Sequence, residues 1–295
     1  MANSSGDGQR HFVYYYYVPN LAAATIFIFL FFVLTVVHAI QMFRFKMWFW
    51  IAFIIGGLME TAGYVGRVLS HNNNQAMGPY IQQSLLLLVA PALFAASIYM
   101  ILGRMILITH SAQLSPLRPT RLTAFFVCGD IISFVVQATG DALMAGHKAN
   151  SLSMGKNVVL VGLALQLAWF VAFVVVARVW QRRVVRWMVS MSADAEHPLL
   201  RLSWDRHLKV LYTASGLILV RSVFRLIEYG MGNDGYLMRH EVFLYLFDAL
   251  LMIAVVVVFL IIHPSGILGQ GKKIGSMLRL ENARGLSAES LRPTK

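Results

Sequence analysis

The stretch Arg221-Ser-Val-Phe-Arg225-Leu-Ile-Glu228-Tyr229-Gly230 sets three ionisable side chains inside a run that otherwise reads as membrane-spanning. Positions 221, 225 and 228 follow i, i+4, i+7, so on a helix all three project from one face, and Arg225 and Glu228 are spaced to pair. A charge near the centre of a bilayer costs roughly 2.5–3.5 kcal/mol on insertion scales, so such groups face a bundle interior or a wet cavity. The stretch therefore calls for neighbouring helices that share its polar face.

Composition supplies them. The chain has 295 residues, 58% hydrophobic and 13% charged, with a mean hydropathy of +0.65; a soluble domain carries about 25% charged residues. An ordinary soluble domain is excluded, and the prediction is an all-α polytopic membrane protein, a bundle of seven transmembrane helices. The spans read as Leu21 to Met42, Trp48 to Leu69, Leu85 to Ile108, Leu122 to Met144, Val158 to Trp180, Leu211 to Tyr229 and Phe243 to Ile262. Around a transmembrane domain over 20–263 there remain an external leader over 1–19, ending in the interfacial aromatics Tyr14 to Tyr17, and a basic tail over 264–295. The leader lacks the layout of a removable signal peptide, so span 1 is expected to act as its own insertion signal.

Seventeen of the 25 Lys and Arg residues fall in segments 44–46, 118–121, 178–209 and 272–295; Arg10, Lys148, Lys156 and Arg239 are the four on the alternate side. The positive-inside rule then predicts the N-terminus outside and the C-terminus cytoplasmic. Topology beside anionic lipid accounts for the formal charge of +12, so nucleic acid is not expected as a partner. Asn3-Ser-Ser is a possible glycosylation site consistent with that orientation. The expected location is integral to a membrane, the plasma membrane. Cys128, the single cysteine, has no disulfide partner in the chain and is expected to be a small buried hydrophobe.

Other spans repeat the polar pattern of the opening stretch. Glu60, Tyr64 and Arg67 lie at i, i+4, i+7 in span 2, and Glu241, Tyr245 and Asp248 at the same spacing in span 7. Span 4 places Asp130, Ser133, Gln137, Gly140 and Asp141 on one stripe, and span 5 sets Gly162, Gln166 and Trp169 on one face. In span 3, Pro91 is expected to kink the helix and free a carbonyl for a neighbour or water, while Arg104 near the end of the span suits snorkelling. Depth counting puts Glu60 and Asp248 near the middle and Arg67, Gln137, Asp141, Arg225, Glu228 and Glu241 towards the outside, which predicts one polar cavity open outwards. The candidate substrate-binding residues are Glu60, Tyr64, Arg67, Asp130, Gln137, Gln166, Arg221, Arg225, Glu228, Glu241, Tyr245 and Asp248. Six acids in the stripes (Glu60, Asp130, Asp141, Glu228, Glu241 and Asp248) face four bases (Arg67, Arg104, Arg221 and Arg225), an excess that suits an amphiphile with a cationic head. The plainer reading is an interhelical charge network that only fixes the bundle.

The series Glu60-x-x-Gly63-Tyr64-x-x-Arg67, Ala90-Pro91-Ala-Leu-x-Ala-Ala-x-Ile-Tyr99, Asp130-x-x-Ser-x-x-x-Gln137-x-x-Gly140, Gly162-x-x-x-Gln166, Arg221-x-x-Phe-Arg225-x-x-Glu228 and Glu241-x-x-x-Tyr245-x-x-Asp248 resembles the fungal lipid-translocating exporter family, also called the aminocholesterol-resistance family. The resemblance runs from span 2 through span 7. It implies a seven-helix membrane protein, N-terminus outside, associated with export of or resistance to sphingoid long-chain bases, aminosterols or other amphiphiles, with a porphyrin-transporting branch. Membrane lipids and an amphiphilic small molecule are the partners it implies.

The leading expectation is thus a transporter that moves a lipid-like amphiphile towards the outer leaflet. A seven-helix lipid-sensing receptor is the alternative, although span 3 ends in Leu102-Gly103-Arg104-Met105 with no acid before the arginine. An intramembrane lipid hydrolase is less favoured, because no His-x-x-x-His pair supplies zinc ligands. Gly266-Ile-Leu-Gly-Gln-Gly271-Lys272-Lys273 lacks the closing Ser or Thr of a phosphate loop. No enzymatic activity, metal or cofactor is expected.

Overall fold

The computed structural model describes residues 20–72, 77–145, 149–191, 204–231, 241–266 and 269. Asn20 opens α1 (Leu21–Phe45) by accepting from the Ala23 N–H at 3.2 Å, and Lys46 ends it in the left-handed region at φ 53°. A 3₁₀ turn, Trp48–Trp50, leads into α2 (Ile51–Asn72), followed by α3 (Met77–Ile108), α4 (Pro119–Ala145), α5 (Ala149–Met191), α6 (Trp204–Met231) and α7 (Glu241–Ile261). All seven are long and apolar enough to cross a membrane. They alternate in direction, so one end of the bundle carries Asn20 and the start of α7, and the other carries Lys46, the starts of α4 and α6 and the arginines of late α5.

Side chains are sorted as a hydrocarbon solvent demands. Phe29, Val161 and Val242 are 66%, 63% and 70% exposed, while Glu60, Arg67, Asp130, Gln137, Arg221, Glu228 and Asp248 are buried between helices. α4 packs most extensively on α5, and α2 on α3 and α1. Glycine makes the first of these contacts possible: a Cβ at Gly140 would stand 2.7 Å from the Val159 backbone nitrogen and 2.8 Å from the Gly155 carbonyl.

The helices depart from the sequence reading in several places. α5 does not stop near Trp180 or Arg186 but continues to Met191, because Val184, Trp187 and Met188 keep an apolar stripe on the bundle after the outward side has turned basic. α6 starts at Trp204, so Lys209 is helical, not part of a connecting loop, and pairs with Asp205 at 2.8 Å. Cys128 is exposed on α4, facing away from the bundle. The leader, with Tyr14 to Tyr17 and Asn3, and nearly all of the basic tail lie outside the described residues.

Candidate functional site

Pro91 stands inside the continuous helix α3 and has no N–H to return to the carbonyl one turn earlier, that of Leu87. That carbonyl accepts from Arg221 Nη2 on α6 at 2.6 Å. Arg221 Nε meanwhile lies 2.5 Å from Asp248 Oδ1 on α7, an ion pair without hydrogen-bond geometry at either of those two atoms. α7 widens there into a π turn over Tyr245–Ala249, a form that recurs at functional sites. One guanidinium thus ties together α3, α6 and α7.

Nearer the Asn20 end, Arg67 of α2 pairs with Glu241 of α7 at 2.8 Å. The Tyr245 hydroxyl donates to Glu241 Oε1 at 3.0 Å and accepts from Arg67 Nε at 3.1 Å. The Asn20 N–H completes the carboxylate's shell from α1, at 2.9 and 3.0 Å from its two oxygens. Tyr245 stacks on Phe27 at 5.1 Å, and Tyr64 lies among Phe27, Phe31 and Tyr245.

Beside the Arg221–Asp248 pair sits Glu60, 0% exposed. Among the described residues neither of its carboxylate oxygens has a hydrogen-bond partner, and the same holds for the hydroxyl of Tyr64, one turn along the same face. Asp248 and Arg221 are close enough to act on Glu60 electrostatically. Burying a polar group without a partner costs about 1–3 kcal/mol by mutational measures, and more for a charge.

A third cluster lies on α6 and α4. Arg225 pairs with Glu228 at 2.8 Å, as their spacing predicted, and stands 5.0 Å from the Tyr229 ring centroid. Asp141 lies within electrostatic reach of Arg225. Deeper in α4, Asp130 accepts from the Tyr99 hydroxyl at 3.0 Å, and Gln137 Nε2 donates to Gln166 Oε1 of α5 at 3.1 Å. Gly162 leaves the room for that bond, since a Cβ there would meet Gln137 Cγ at 2.6 Å.

The candidate residues therefore separate into clusters. Glu60, Tyr64, Arg67, Arg221, Glu241, Tyr245 and Asp248 come together where α2, α6 and α7 meet, with α3 contributing the Leu87 carbonyl. Arg225 and Glu228 sit beside Asp141, while Asp130, Gln137 and Gln166 belong to the packing of α3, α4 and α5. The stripe on α4 is split because α4 packs on both α5 and α3, while Asp141 reaches Arg225 of α6 electrostatically. Two expectations need correction. The polar residues do not line an open cavity: Glu60, Tyr64 and Gln137 are 0% exposed and Arg67 and Asp248 1%, because arginine–acid pairs draw the helices together. Arg104 does not join them; it is exposed, with its guanidinium 4.0 Å from the Phe49 ring centroid. Tyr99, Asn20 and the Leu87 carbonyl went unread as partners, and only the last had a signal, since Pro91 fixes which carbonyl is freed. Among the described residues no group of three or more His, Cys, Asp or Glu is placed to hold a metal ion.

Residues 53–271 match the family described as RTA1 like protein. The chain belongs to this family. RTA1-like relatives include protoporphyrin uptake protein 1 of Saccharomyces cerevisiae, 34% identical over 284 residues, which cover 84% of this chain and 91% of that protein. The sphingoid long-chain base transporter RSB1 of Saccharomyces cerevisiae is 32% identical over 276 residues, 84% of this chain and 72% of that one. Protein RTM1 of the same species is 36% identical over 211 residues, 72% of this chain and 66% of its own length. No solved structure matches. This RTA1-like chain is a seven-helix membrane protein of the family that its motif series resembles, and members of that family are named as transporters.

Proposed function

We propose that the chain moves a lipid-like amphiphile, a sphingoid long-chain base or aminosterol, towards the outer leaflet, with the N-terminus outside and the head group passing through the polar interior between α2, α3, α6 and α7. The observation that carries this reading is Glu60. Among the acids of the opening stretch and of α2 and α7, Glu228, Asp248 and Glu241 each have an arginine at ion-pair distance. Glu60 alone of the four has none among the described residues, and neither of its oxygens is bonded. An ammonium head group supplies the counter-charge and the donors that this carboxyl lacks, while the apolar tail lies along the lipid-facing helix surfaces. Because the residues are packed shut, passage requires the Arg67–Glu241 and Arg221–Asp248 contacts to part. The name of the RSB1 relative as a sphingoid long-chain base transporter supports the substrate class.

In proteoliposomes containing the purified protein, flux of a labelled sphingoid base is expected to fall more than tenfold for Glu60→Gln. Glu228→Gln should fall less, since its carboxylate is already held by Arg225. Wild-type flux in Glu60→Gln refutes the assignment.

A further inference from the structure

α5 has 43 residues, about 65 Å at 1.5 Å per residue, roughly twice the hydrocarbon thickness of a bilayer. Its apolar stretch closes at Ala177, and the turns that follow carry Arg178, Arg182, Arg183 and Arg186. Arg178 therefore stands where hydrocarbon gives way to head groups, and Arg186 about 12 Å further along the axis.

Arg178, Gln181, Arg182, Val185 and Arg186 line a surface groove of about 360 Å³. Their spacing places them on one helix face. Arg178 is braced, its Nη1 donating to Gln181 Oε1 at 2.9 Å and its guanidinium 5.5 Å from the ring centroid of Tyr212 on α6. Arg182 and Arg186 are exposed, and among the described residues no ion pair reaches Arg178, Arg182 or Arg186. Asp205, at the same end of the bundle, is taken by Lys209 at 2.8 Å. Like charges at i, i+4 and i+8 repel one another unless an anion lies between them, and the planar fork of arginine matches phosphate oxygens.

We infer that this face of α5 binds the phosphate of an anionic phospholipid head group from the adjacent leaflet. Arg182 and Arg186 grip the phosphate oxygens, Arg178 fixes the depth, and Val185, 41% exposed, lies against the apolar part of the lipid. That depth and the apolar contact favour a lipid over a soluble anion. The site is separate from the polar interior of α2, α3, α6 and α7.

The test uses the purified full-length protein in mixed micelles of phosphatidylcholine with or without a phosphatidylinositol monophosphate, with retained lipid counted by native mass spectrometry. Wild type is expected to retain the anionic lipid selectively. R182Q/R186Q should bind it about thirty-fold more weakly, on roughly fivefold per basic residue near a charged surface. R118Q/R121Q removes two exposed charges from the same end of the bundle and should match wild type; R182K/R186K keeps the charge, loses the fork and should fall between. Equal retention by R182Q/R186Q and wild type overturns the inference. So does an equal loss in R118Q/R121Q, or displacement of the lipid by inorganic phosphate alone.

Discussion

Replacing Arg221 with methionine removes two contacts of different kinds, and a second substitution at Pro91 separates them. The first loss leaves Asp248, 1% exposed, without its counter-charge, which costs roughly 3–5 kcal/mol for a buried pair broken on one side. The second strands the Leu87 carbonyl, worth about 1–2 kcal/mol where the unfolded state also finds partners in the membrane. Alanine at 91 restores an N–H one turn from that carbonyl, so Pro91→Ala repairs the second loss and leaves the first untouched. The cavity left by the proline ring and the orphaned Asp248 appear on both sides of the cycle and cancel. Arg221→Met should therefore destabilise the Pro91→Ala protein by about 1–2 kcal/mol less than it destabilises wild type. Tryptophan fluorescence during titration of mixed micelles with dodecyl sulfate measures both differences. Equal losses in the two backgrounds would show that Arg221 is not capping the carbonyl.

Other outcomes follow from single contacts. Gly140→Ala should cost about 1–3 kcal/mol by overpacking, since its Cβ would meet backbone atoms of α5 at 2.7 and 2.8 Å. Gly216→Ala, with nothing within 4 Å of the added carbon, should gain roughly 0.5–1 kcal/mol of helix propensity; thermal unfolding of the pair in detergent checks both. Tyr245→Phe removes the hydroxyl that links Glu241 and Arg67 and should lower stability by about 1 kcal/mol in the same assay. His263, just past α7, is pulled down from 6.5 to about 4 by burial, with His38 and His207 adding repulsion. Its folded form stays neutral where the unfolded ring takes up a proton. Stability should thus be level above about pH 6.5 and decline as the pH falls towards 4, and His263→Asn should flatten that part of the profile of unfolding midpoint against pH.

Seven spans and the inward turn of most of their polar residues were legible because a bilayer punishes every misplaced charge, so hydropathy and spacing carry the message directly. The Arg225–Glu228 pair was legible for the same reason, both partners lying on one helix. Pairings between helices were not. Spacing says that Arg221 faces inwards but not that it meets α3 and α7 at once, since rotation and lateral order are set by packing. The π turn at Tyr245–Ala249 was hidden because no proline or glycine marks it. The continuation of α5 to Met191 was hidden because a basic run reads as the end of a span whether or not the helix goes on.

Two kinds of seam hold this bundle, and they respond differently to water. α4 and α5 meet through glycines and backbone, a contact of shape that is insensitive to the dielectric around it. α7 is tied to α2 and α6 by the Arg67–Glu241 and Arg221–Asp248 pairs, whose attraction falls roughly fourfold as the effective dielectric rises from 20 to 80. The first water molecules to enter there weaken the bonds that kept them out, so the α7 seam is strong while dry and yields progressively once wetted.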